Sequence, residues 1–212
     1  LRPSILLDPA GARKNSGDNT PAVIHMRVVA GDKVDVHLAA KGGGSENKAK
    51  LVMLNPSDSI VDWVVKTMPT LGAGWCPPGI LGIGIGGTAE KAAVLAKESL
   101  LDAIDIQDLE KRGPKNRIEE LRLEIFQAVN DLGIGAQGLG GVTTVLDVKI
   151  KDYPTHAASL PVALIPNCAA TRHTHFLLDG NGPSLQTPPN LDDWPEITWE
   201  VGPNSRRVNL ND

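Results

Sequence analysis

Apolar and polar positions alternate in two stretches near the start of the chain, residues 21–30 (PAVIHMRVVA) and 34–41 (VDVHLAAK). β-branched residues on both sides of Gly31-Asp32-Lys33 predict a β-hairpin. A glycine-rich loop follows at residues 41–47 (KGGGSEN). The period then changes. Ile60, Val61, Val64, Val65 and Met68 share one face of a helix that Ser57 or Asp58 can cap and that Pro69 ends or interrupts. Residues 80–85 read as a short buried strand. Thr88 opens a helix reaching about Ile104, with Ala92, Leu95, Ser99 and Leu100 near its inner face. The charged stretch 105–117 reads as a surface connection. Pro114 suits the start of another helix, in which Ile118, Leu121, Ile125, Val129 and Leu132 recur every three or four residues until Gly133 stops it. Residues 142–150 and 160–165 read as strands. Beyond Gly180 the periodicity fades and Pro and Asn accumulate. The pattern predicts an α+β fold, mixed sheets with several amphipathic helices.

Composition narrows the partners. The 212 residues are 41% apolar and 22% charged, which is ordinary for a globular chain able to bury a sizeable core. With only 3% aromatic residues, that core must rest on Ala, Val, Leu and Ile. A net charge of −4 with no basic stripe argues against nucleic acid. The apolar runs fall short of the ~20 residues of a membrane span. Leu1-Arg2-Pro3-Ser4 does not resemble a signal peptide, and Leu1 stands where a natural start would carry Met, so upstream sequence is expected. The two cysteines lie far apart and nothing else suggests secretion, so a disulfide is not expected.

Two segments carry candidate chemistry. Residues 82–87 (GIGIGG) fit G-x-G-x-x-G between a strand and a helix, with Asp105 and Asp108 roughly 20 residues on, as in a dinucleotide site. The same glycines also serve a tight strand-to-helix turn with close packing, or an anion site at a helix N-terminus. No second parallel strand is evident directly after the helix, so the packing role is favoured. Cys76 sits in Trp75-Cys76-Pro77-Pro78, where the prolines fix an extended backbone. Cys168 follows a strand in Pro166-Asn167-Cys168-Ala169-Ala170. Two buried thiols or a shared metal both fit this spacing.

Four motifs in order carry a resemblance: residues 41–47; Cys76-Pro77-Pro78 leading to residues 82–88; residues 132–138 (LGIGAQG); and residues 156–162 (HAASLPV) leading to Asn167-Cys168-Ala169. Together they resemble the iron–sulfur domain of class I fumarases and the alpha subunit of tartrate dehydratase, over nearly the whole chain. The resemblance implies the alpha-type catalytic domain of an iron–sulfur hydro-lyase, with a [4Fe–4S] cluster on three cysteines and one open iron that binds substrate. Cys76 and Cys168 match its second and third ligands. The first belongs to a segment expected upstream of Leu1. His156 falls where the family places an active-site histidine, and Gly42, Gly43 and Gly44 match a loop that approaches substrate. Arg172 and His173 either supply positive charge to a dicarboxylate or stand as solvated surface groups. The implied reaction is reversible hydration of fumarate to (S)-malate. Tartrate dehydration is the alternative, and a nucleotide-binding oxidoreductase using residues 82–87 is the alternative from another class. Residues 1–192 then form a partial iron–sulfur domain, and residues 193–212 a linker toward a C-terminal fumarase domain. The full-length protein is expected to be a homodimer in the cytoplasm, with the mitochondrial matrix as the other compartment. With two thiolates, this stretch alone is expected to lose the cluster and to be inactive.

Overall fold

The computed structural model describes residues 3–180, so the expected linker at 193–212 lies outside them. The chain divides into two compact units. In the first, β1 (Leu6–Leu7) and β2 (Lys14–Asn15) pair antiparallel, and the Asp8 carboxylate accepts the Ala12 N–H at 2.6 Å. The expected strand at 21–30 has no regular structure, and Val23, Ile24, Met26, Val28 and Val29 are exposed. A strand needs a neighbour for its backbone groups. Its intended hairpin partner, β3 (Val34–Ala40), is hydrogen-bonded to a different strand near the far end of the described chain.

The second unit spans residues 35–178. The glycine-rich loop closes into a single helical turn, α1 (Gly43–Glu46). After β4 (Lys50–Leu54), Ser59 rather than Ser57 or Asp58 caps α2 (Ile60–Thr67), its hydroxyl accepting the Asp62 N–H at 3.1 Å. Pro69 does not stop the chain from coiling. It enters a 3-10 turn, Met68–Leu71, where a missing N–H is tolerated. A second 3-10 turn, Ala73–Trp75, leads to β5 (Gly79–Gly86). The next helix, α3 (Ala89–Ser99), is shorter than expected. The supposed surface connection holds α4 (Ile106–Arg112), whose Ile106 and Leu109 are buried. In α5 (Arg117–Asn130) the cap is Asn116, whose side chain accepts the Glu119 N–H at 2.9 Å. Gly133 follows with φ +64°. The described residues close with β6 (Val145–Tyr153), β7 (Leu160–Cys168) and β8 (Arg172–Leu178), the last being the partner of β3.

Four strands make the central sheet in the order β4-β7-β5-β6. β7 is antiparallel to both β4 and β5, while β5 and β6 are parallel. Side chains alternate across β5. Leu81, Ile83 and Ile85 join Val64 and Met68 of the α2 region and Leu121, Ile125 and Val129 of α5 in one core. Ile80 joins Ala92, Ala96 and Leu100 on the opposite face. That face explains the glycine pattern. A Cβ at Gly82 would lie 2.2 Å from the Ala96 carbonyl oxygen, and one at Gly84 1.9 Å from that of Ala92. These glycines exist so that α3 can lie directly on the strand. The mixed α+β class expected from the pattern is the one observed.

The parallel neighbour that a dinucleotide unit needs is present after all, as β6, reached through three helices rather than one. Its expected acid has another task. Asp105 pairs with Arg122, and with Lys149 at 2.5 Å. Buried Asp147 pairs with Arg122 at 3.1 Å and Lys149 at 3.0 Å, and accepts the Asp105 and Ile106 N–H groups that begin α4. Burial works to raise the Asp105 pKa, but hydrogen bonds and charge from Arg122 and Lys149 outweigh it and hold the carboxyl at about 2. Among the described residues, no helix is long and apolar enough to cross a membrane.

Candidate active site at one end of the sheet

Cys76 and Cys168 come to the same end of the sheet. Gly79, three residues past Cys76, opens β5 and is register partner to Cys168, the last residue of β7. A Cβ on Gly79 would meet the Asn167 carbonyl oxygen at 2.3 Å and the buried Trp75 ring at 2.9 Å. The bare glycine therefore lets the Cys76 turn close onto the end of β7. Cys76 is exposed and left-handed, with φ +58° and ψ 60°. For a side chain with a Cβ this costs roughly 1–2 kcal/mol, and such strain persists only where the surroundings enforce it. Both cysteines are free thiols. The Ala170 N–H donates to Cys168 Sγ at 3.4 Å, in a turn held by Thr171 N–H to the Cys168 carbonyl at 3.0 Å and by Thr171 Oγ1 to buried Asn167 at 2.7 Å.

Two glycine-rich segments close around the Cys76 turn. Gln137, itself at φ +55°, donates its backbone N–H to the Pro77 carbonyl at 2.7 Å. The loop that carries it folds on itself so tightly that a Cβ on Gly135 would meet the Gly140 carbonyl carbon at 2.3 Å. On the other side stands α1. A Cβ on Gly44 would lie 2.7 Å from the Gly74 carbonyl oxygen, whereas Gly42 and Gly43 have open space where a Cβ would go. The expected substrate loop thus divides in two. Gly44 serves packing, and Gly42 and Gly43 leave backbone accessible. Arg172, exposed, begins β8 four residues beyond Cys168.

Sequence reasoning passed over two lysines here. Lys41 Nζ donates to Ser45 Oγ at 2.8 Å and pairs with Glu46 at 3.1 Å, and Lys97 closes on the same carboxylate. Burial lowers the Lys41 pKa, partly offset by Glu46. Burial would raise the Glu46 pKa, but Lys97 and Lys41 together bring it below its ordinary value. Lys41 and Glu46 lie inside the motif that was read, but only for its glycines. Lys97 is 51 residues away from Glu46, and no local pattern marks it.

His156 is not at this end. β6 finishes at Tyr153 beside Gly86, the last residue of β5. The loop from there to β7 is fastened by Thr155 Oγ1 to the Gly87 carbonyl at 3.0 Å. His156 is exposed on that loop, its Nδ1 accepting the Ala158 N–H at 3.1 Å. From Leu160 to Cys168 β7 covers nine residues, roughly 26 Å at about 3.3 Å per residue. One chain therefore keeps His156 and Cys168 apart.

The fumarate hydratase (Fumerase) family model matches residues 1–177. This chain belongs to that family. A Methanocaldococcus jannaschii protein named "Putative L(+)-tartrate dehydratase subunit alpha" is 40% identical over 178 residues, covering 81% of this chain and 61% of that protein. The L(+)-tartrate dehydratase subunit alpha of Escherichia coli O157:H7 is 32% identical over 176 residues, covering 82% of this chain and 56% of its own length. The chain thus spans about six-tenths of the curated relatives it matches. The Fumerase match runs through the Gly42–Gly44 segment, both cysteines, the loop at 133–141, His156 and Arg172.

Proposed function

We propose that this chain is the cluster-bearing part of a hydro-lyase that adds water to, or removes it from, a four-carbon dicarboxylate. The observation that carries this reading is the convergence of two free thiols, two glycine-rich segments and a partly buried lysine on one end of the sheet. The donor set suits the group. Thiolates are the usual ligands of iron–sulfur clusters, and hydrogen bonds to the sulfurs tune them, as the Ala170 N–H would for Cys168. The buried Trp75 indole N–H beside Cys76 has no acceptor among the described residues, so a donor remains open next to the turn. Cys76 and Cys168 would hold a [4Fe–4S] cluster together with a third thiolate from outside these 212 residues. When bound, the cluster supplies a Lewis acid that polarises a substrate oxygen.

The remaining roles fall to the chain's own groups. Arg172 and Lys41 neutralise the substrate carboxylates. Gly42 and Gly43 present backbone to the substrate without side-chain obstruction. Lys97 and Glu46 fix Lys41. His156 acts on substrate only in a site contributed by a second copy of the chain, since its own cysteines lie at the other end of the sheet. A homodimer that exchanges histidines between its sites meets that requirement. Fumarate hydration to (S)-malate is the primary reading, in line with the matching family model. The names of the two relatives favour L(+)-tartrate dehydration, with a separate second subunit in place of a fused C-terminal domain.

The test is anaerobic reconstitution of the full-length protein with iron and sulfide, then assays with fumarate and with L(+)-tartrate. Turnover of either that disappears in Cys76→Ser and Cys168→Ser supports the hydro-lyase reading, and the preferred substrate chooses between its two forms. A reconstituted protein that turns over neither, with or without a co-purified second subunit, overturns it.

A further inference from the structure

The strand pair β3–β8 carries a second group of metal-ligating side chains. Asp35 and His37 are two residues apart on β3, so they share a face, and His175 stands on β8. His175 Nε2 lies 2.5 Å and His37 Nε2 3.4 Å from the same atom, Asp35 Oδ1. The two imidazoles are stacked, with centroids 4.3 Å apart and planes 17° apart. One ligand atom from each of the three residues lies within 4.8 Å of the others. His173 is on the same face of β8 as His175 and lines the same hollow with His37.

We propose that Asp35, His37 and His175 form a binding site for a divalent transition ion of the zinc class, with His173 in reach as a fourth ligand. Imidazole nitrogen and carboxylate oxygen bind such ions at about 2.0–2.2 Å, with four ligands in a tetrahedron. At that bond length two ligands stand roughly 3.4 Å apart, the spacing between His37 and Asp35. The shorter His175 contact opens by rotation of exposed side chains. A divalent ion accepts nitrogen from both rings and oxygen from the carboxylate. Softer, thiolate-only chemistry belongs to Cys76 and Cys168. This site is nitrogen-rich and of borderline softness, and independent of any cluster.

The ion would act as a clip. Two-stranded sheets are marginal by themselves, and all seven residues of β8 are exposed. Asp35 and His175 are 140 positions apart, so one ion would join strands from distant parts of the chain.

The experiment uses the full-length protein without a polyhistidine tag, in a Cys76→Ser, Cys168→Ser background that removes two of the three thiolates assigned to the cluster. Zinc ion alone is titrated by calorimetry, and thermal unfolding is followed with and without it. The expected result is one zinc per chain at this site and a higher unfolding temperature with zinc. Affinity should fall at least about tenfold in His37→Ala and in His175→Ala, and the zinc-dependent rise should vanish in both. His25→Ala, an exposed histidine of the other unit, should change neither. No zinc uptake in the Cys76→Ser, Cys168→Ser background, or uptake indifferent to His37 and His175, overturns the site.

Discussion

The central sheet has one end where glycine-rich loops press together around two cysteines and one where the loop carrying His156 turns back beside the ends of β4 and β5. At the cysteine end, α1, the Cys76 turn, the loop at 133–141 and the Cys168–Thr171 turn press on one another. Gly72, Cys76, Gly135, Gln137 and Gly138 all hold positive φ there. At the other end, the loop carrying His156 is fastened by Thr155 to Gly87 and leaves the imidazole exposed. The difference concerns what each end can supply. Strain held in place by mutual packing preorganises several groups around one ligand. An exposed side chain on a short, pinned loop is open to groups beyond that loop. Residues 12 positions apart in sequence are thus separated by the length of a strand, and the proposed cooperation between them calls for two copies.

The largest expected effect breaks the cysteine end. In full-length protein, Cys168→Ser should abolish cluster absorbance and bring activity to the assay floor. His156→Asn should leave the absorbance intact and lower turnover by about 10²–10⁴-fold, the range of a general acid–base group. Turnover within about twofold of wild type would remove His156 from the reaction. Co-expressing the two variants sharpens the comparison. If copies exchange histidines, a mixed dimer has one site with both residues intact, and a statistical mixture regains about a quarter of wild-type activity. Recovery no better than the sum of the two variants would refute the exchange.

The sequence was legible wherever the signal is local. Ile118, Leu121, Ile125 and Val129 marked α5, and the apolar run at 80–85 marked β5. Cys168 was read just past a strand; it ends β7, at the end of the sheet where β5 begins three residues after Cys76. What escaped depends on partners far away. Residues 50–54 (KLVML) became an edge strand through pairing with β7. Residues 21–30 have a strand's pattern but no strand beside them. The charged appearance of 105–117 hid α4, because two buried apolar residues, Ile106 and Leu109, suffice to dock one short helix. The separation of His156 from Cys168 was also unreadable, since a motif's spacing does not say which end of a strand its members occupy.

A smaller effect tests what stands behind the cysteine end. Asp147 pairs in register with Ile80, next to the residue that faces Cys168. Its carboxylate is fully buried with Arg122 and Lys149 and receives two N–H groups of α4. Removing one member of a buried ion group leaves the others uncompensated, at a cost of about 3–5 kcal/mol. Asp147→Asn should lower the urea midpoint accordingly. A loss below about 1 kcal/mol would mean that water already reaches Arg122 and Lys149.

The smallest effect is a pH dependence from the same network. The Asp105 carboxyl is held at about 2 in the folded chain, below the usual carboxylate range, because Arg122 and Lys149 outweigh its burial. A group whose pKa is depressed by folding contributes stability that is complete above its unfolded value, near 4, and disappears as pH falls through the folded one. The contribution from Asp105 is therefore present at neutral pH and lost between about pH 4 and about pH 2. Its side chain is 44% exposed, so solvent screening limits the effect to about 1 kcal/mol or less. Urea midpoints at several pH values across this window should fall more steeply for wild type than for Asp105→Asn. His156→Asn, at the opposite end of the sheet, should follow the wild-type curve. Parallel curves for wild type and Asp105→Asn would show that Arg122 and Lys149 do not hold Asp105 ionised, and that the network rests on Asp147 alone.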